Sequence, residues 1–134
     1  MSESWPVGAA APSLDDIARL AEVAFAALPE PFRTLAGDIV FRVDDFPDDD
    51  MLAELGMQDP FELSGLYQGV DLSRRSVLDA YEPARVFLFR RPLLDEWAER
   101  GDVTLAELVA HVLIHEIGHH LGLSDEQIHS IESR

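Results

Sequence analysis

Residues 104–125 read TLAELVAHVLIHEIGHHLGLSD. Thr104 and Glu107 stand at capping-box spacing, so a helix opens here with its first N–H groups satisfied by side chains. Gly122 is a natural left-handed stop after Leu121. Between them Leu105, Leu108, Val109, Ala110, Val112, Leu113, Ile114, Ile117 and Leu121 place apolar groups on nearly every side. A helix of that kind belongs in the interior of a domain. Any polar side chain it buries needs a partner, because burial without one is costly.

The polar side chains of this helix have a pattern of their own. His115 and His119 are four apart, one turn from each other on one face. Two imidazoles so placed can reach a single zinc ion at about 2.0–2.1 Å. Glu116 projects about 100° further around the axis. That puts its carboxylate beside the ion, where it can accept a proton from a zinc-bound water. A catalytic zinc also needs a third protein ligand and an open position. Gly122 can turn the chain sharply, and Asp125 follows it at a spacing that lets a carboxylate swing back to the metal. Asp125 has a second reading, as an acid at the positive end of a final helix.

Outward from this segment the chain alternates short elements. Ser13 and Asp16 form another cap, and Leu14, Ile17, Ala18, Ala21, Ala24, Phe25 and Leu28 follow at helical spacing until Pro29 and Pro31. Residues 39–43 (IVFRV), 63–69 (LSGLYQG) and 86–90 (VFLFR) read as strands. An acidic loop, residues 44–50, precedes a short helix over 51–55. That loop lacks the glycine and terminal Glu of an EF-hand, so it reads as solvated rather than calcium-binding. Residues 70–84 are polar and irregular. Pro92 can open a helix that continues over 93–99, and Ser124 with Gln127 caps a last helix running to Ile131. Residues 1–12 read as a flexible tail, and 13–134 as one domain. The fold class expected is α+β, a small mixed sheet packed on the buried helix.

Composition narrows the function. Twenty-six acidic residues face ten arginines and no lysine, a net charge of −16. Such a field repels phosphate backbones and anionic lipid, which argues against nucleic-acid or membrane partners. No cysteine is present, so neither disulfides nor thiolate ligands arise. No apolar run approaches the roughly 20 residues of a membrane span, and the N-terminus lacks the pattern of a secretory signal. We expect a cytoplasmic monomer.

The residues just described also resemble a family. HEIGHHLGLSDEQI (115–128), GLYQGVDLSRRS (65–76), VFLFRRPL (86–93) and VDDFP (43–47) are similar to segments of the bacterial minimal metallopeptidases, acidic zincin-like proteins with an HExxHxxGxxD motif. The likeness covers about residues 39–131. It implies a compact mixed α/β fold with a small sheet beside the active-site helix, zinc on His115, His119 and Asp125, and Glu116 as the catalytic acid–base. The run also resembles the metzincin pattern with Asp in place of the third His. Metzincins carry a Met turn after that ligand, and none of the nine residues beyond Asp125 is Met.

Other residues carry weaker signals. Tyr67 reads either as a packed sheet aromatic or as a substrate-side group that stabilises an oxyanion, in a strand whose edge could pair with an extended peptide. His111, one turn before His115, reads as a core or rim histidine, or as a partner of a ligand. His120 and His129 read as structural or exposed. Arg75 and Arg90 read as ion-pair partners within an acidic protein, or as contacts to a substrate carboxylate. The function expected is a zinc-dependent peptidase acting on a peptide or protein through a Glu-activated water. The alternatives are a non-catalytic, metal-stabilised binding domain and a hydrolase of other bonds.

Overall fold

Capping boxes open the two longest of the described helices. Ser13 N–H donates to Asp16 Oδ2 at 2.8 Å, and Asp16 N–H returns to Ser13 Oγ at 3.1 Å. Thr104 and Glu107 repeat the exchange at 3.0 Å each way. From these starts run α1 (Leu14–Ala26) and, late in the chain, the helix Leu105–His120. The computed structural model describes residues 10–69 and 84–132. Most of the expected tail, nearly all of the irregular stretch 70–84, and Arg75 lie outside the described residues. Pro12 is buried, and its carbonyl accepts from Arg90 Nε.

After α1 the prolines do end the helix, but a further turn follows, α2 (Phe32–Leu35), which the sequence reading lacks. Glu30 holds it: Oε1 accepts from the Thr34 hydroxyl at 2.7 Å and from Thr34 N–H at 3.1 Å. A single turn leaves no periodicity to read. Strand β1 (Val40–Asp44) comes next, then α3 (Asp49–Leu55). The acidic stretch is therefore part loop and part helix. Asp48 Oδ1 accepts from Met51 N–H at 2.8 Å as the cap. Asp49 and Asp50 fill the first turn, where the helix dipole favours negative charge.

A 3₁₀ turn (Pro60–Glu62) leads into β2 (Gly65–Gln68). Strand β3 (Arg85–Phe89) passes directly into α4 (Arg90–Arg100). Arg90, expected to end the strand, instead opens the helix, where its guanidinium meets Asp45 Oδ1 at 3.1 Å. Pro92 falls within the first turn, where a missing N–H costs nothing. Helix α5 (Leu105–His120) and α6 (Asp125–Glu132) complete the order.

The sheet order is β1-β3-β2, with β1 parallel and β2 antiparallel to β3. This is the small mixed sheet of an α+β fold. Val86, Leu88 and Phe89 of the central strand are essentially inaccessible to solvent. Val86 and Leu88 join Ile17 and Ala21 of α1 and Leu108, Val109, Leu113 and Ile117 of α5 in one core. Each fully buried leucine there contributes roughly 1.5–3 kcal/mol through burial. Helix α5 touches α1, α4, α6, β2 and β3. It is not enclosed all round, however: His111 and His119 are exposed, and His115 is half-buried. No described helix is long and apolar enough to cross a membrane.

Candidate metal centre

The open strip of α5 carries the chemistry. His115, Glu116 and His119 bring one ligand atom each to within 4.8 Å of one another. The two imidazole centroids are 4.7 Å apart, with the rings tilted by 59°. His119 Nδ1 lies 3.8 Å from Glu116 Oε1. The His119 side chain keeps 45% of its surface exposed, and that of Glu116 only 12%. One end of the cluster is thus open to solvent while the carboxylate is set into the fold.

Strand β2 encloses that carboxylate. Gly65 begins the strand beside α5, and a Cβ there would come 2.5 Å from Val112 Cγ1 and 3.4 Å from Glu116 Cγ. Only a glycine lets the two backbones approach this closely. Two residues on, Tyr67 N–H donates to Glu116 Oε1 at 2.8 Å. The main chain of β2 thereby fixes the direction of the carboxylate. Among the described residues β2 is an edge of the sheet.

The Tyr67 side chain turns elsewhere. Its hydroxyl is 3.3 Å from His120 Nδ1, and the two rings meet edge to face at 5.6 Å. His120 is fully buried, and its Nε2 lies 3.6 Å from Asp38 Oδ1. The phenol is therefore a packed sheet aromatic that ties β2 to the end of α5.

Helix α6 lies against the far end of the motif. Gly118 occupies the position between the ligand pair, and a Cβ on it would run into Cγ1 and Cδ1 of Ile128. Asp125 is the first residue of α6, exposed and outside the three-residue cluster. His111 Nδ1 pairs with Glu132 Oε2 at 2.6 Å, which makes it a rim histidine joining α5 to α6. His129 is exposed on α6.

A cleft of about 260 Å³ adjoins His115 and Glu116. Its other walls include Glu62 of the 3₁₀ turn, Ser64 before β2 and Glu96 of α4. Sequence reasoning missed these three, and nothing local marks them, since tertiary packing alone brings them together. It also missed the role of the Tyr67 N–H. Glycine inside a strand pattern was the available signal there, because it marks close backbone approach.

The donor set suits a borderline divalent ion: two imidazole nitrogens with an adjacent carboxylate and no thiolate. Convergence of all three on one strip fits a bound metal ion. A model of a family described as zincin-like metallopeptidase matches residues 36–134 of the chain. No curated protein matches it.

Proposed function

Given that the chain belongs to the zincin-like metallopeptidase family, we propose that it is a zinc peptidase with His115, His119 and Asp125 as ligands and Glu116 as acid–base. The observation that carries this reading is the convergence of His115, Glu116 and His119 within 4.8 Å beside an edge strand. Zinc, when bound, supplies Lewis-acid chemistry: it brings the pKa of a water to about 7 and polarises a carbonyl oxygen.

The protein's own residues do the rest. His115 and His119 present ring nitrogens from adjacent turns of a helix whose opposite face is locked in the core. That anchoring fixes their separation before any ligand arrives. Glu116 takes the proton of the attacking water at a carboxylate oxygen and returns it to the departing amine. The Tyr67 N–H holds Oε1, so the carboxylate is aimed rather than free to rotate. Asp125, the first residue of α6 beyond the turn at Gly122, would complete the ligand set. The edge of β2 receives an extended peptide or protein substrate by main-chain hydrogen bonds, and Tyr67 serves the substrate side only through its place in that strand, its phenol staying on His120. The molecule would work as a cytoplasmic monomer.

The Glu116→Gln variant tests the mechanism. It should keep stoichiometric zinc, as measured by elemental analysis, and lose hydrolysis by about 10²–10⁴-fold. His115→Ala should lose the metal as well. Turnover in Glu116→Gln equal to that of the unmodified chain would end the proposal.

A further inference from the structure

The cleft beside Glu116 gathers three carboxylates, Glu62, Glu96 and Glu116, with His111 and His115 on the same helix as Glu116. Glu62 and Glu96 reach it from separate elements, the 3₁₀ turn and α4, and face the strip of α5 that carries His115 and Glu116. No arginine is among the described residues that line it. The Glu96 carboxylate does meet Arg100 Nη1, but only at 3.5 Å on the exposed side of α4. At about 260 Å³ the cleft falls below the roughly 300–1,000 Å³ of sites that hold whole small ligands, and suits a single long side chain. It opens between the start of β2 and α5, beside the strand edge proposed to receive the peptide.

We propose that this cleft is a specificity pocket for a cationic side chain, arginine or lysine, of the peptide substrate. The inference rests on the peptidase reading and adds the class of residue selected. Carboxylates on two sides give a guanidinium or ammonium charge-assisted hydrogen bonds. An acidic side chain would meet repulsion from Glu62, Glu96 and Glu116 together. A neutral one would gain no charge-assisted bond from either wall. The net charge of −16 raises the local concentration of basic peptides in the same sense.

The test uses the zinc-loaded full chain and a panel of uncharged peptides carrying one arginine at each position in turn. Each has a citrulline counterpart of the same shape and no charge. Cleavage is read as kcat/KM, and binding by fluorescence anisotropy on the Glu116→Gln variant. At one position arginine should be favoured over citrulline by about tenfold or more. The Glu62→Gln/Glu96→Gln double variant should bring that ratio to near unity, its zinc content reporting that the fold is intact. Equal handling of arginine and citrulline at every position, or a preference that survives the double variant, would overturn the pocket. Cleavage without preference keeps the peptidase and removes the pocket. A charge-dependent binding preference that the double variant abolishes, with no cleavage of any peptide, keeps the pocket and removes the peptidase.

Discussion

Gly118 shows how one residue inside the motif serves packing while its neighbours serve chemistry. It lies between Glu116 and His119, on the side of α5 that meets α6, where Ile128 fills the space a side chain would need. Gly118→Ala should destabilise by about 1–3 kcal/mol through overpacking, despite the better helix propensity of alanine. Urea denaturation would show it as a lower midpoint with an unchanged slope. Combined with Ile128→Ala, the loss should be less than the sum of the single losses, by about 1 kcal/mol or more, because the added methyl enters the vacated volume. Strict additivity would mean that the two groups do not compete for space. At this scale the sequence is legible where helix geometry alone decides. His115, Glu116 and His119 sit together because a spacing of four is one turn. The contact of the Tyr67 N–H with Glu116 was not legible. The phenol, whose chemistry draws the eye, bonds the buried His120, while the peptide N–H faces Glu116. No rule of local spacing says which atom of a strand residue meets a helix 49 positions away in sequence.

Helix α5 depends on how it begins. Thr104 and Glu107 satisfy each other's backbone N–H groups, and Thr104→Ala should cost about 1 kcal/mol, seen as a lower melting temperature. The same box carries a pH signature. The backbone N–H of Thr104, and then its hydroxyl, hold the Glu107 carboxyl below its ordinary value. A carboxyl depressed on folding contributes stability above its unfolded pKa, and that contribution disappears as pH falls through the folded pKa. Asp16 in the box of α1, depressed by Ser13, acts in the same direction. Thermal melts from about pH 6 down to about pH 3 should therefore show Glu107→Gln losing less stability than the unmodified chain. An identical slope in both would exclude the box as a source of acid lability. Both boxes were readable because their partners are three residues apart, and so were the strand cores. The element ends were not. Arg90 leaves β3 for α4 because Asp45 and the Pro12 carbonyl, both remote in sequence, draw its guanidinium to the helix start. The helix α3 begins two residues earlier than its apolar residues suggest, because Asp48 caps it.

At the scale of the molecule, a strongly negative chain closes around a strip that gathers donors for a cation. The −16 charge repels itself in the compact state, so any salt should raise the melting temperature modestly by screening. Zinc should do something different. A ligand that binds the folded chain alone stabilises it by RT ln(1 + [L]/Kd), about 2.7 kcal/mol when free zinc is about a hundredfold above Kd. That stabilisation passes through α5, whose buried face ties α1, β3 and α6 into one core, so it should raise a single cooperative transition rather than one segment. Magnesium at equal concentration supplies the same screening but prefers oxygen ligands to imidazole. The expected result is a zinc-dependent rise in melting temperature, well beyond that given by magnesium, which EDTA reverses. In His115→Ala and His119→Ala the zinc response should shrink to the magnesium response, while the screening term is unchanged. Equal responses to both ions in the unmodified chain would mean that the strip gathers charge without holding a metal. An undiminished zinc response in both variants would place the ion elsewhere on the acidic surface.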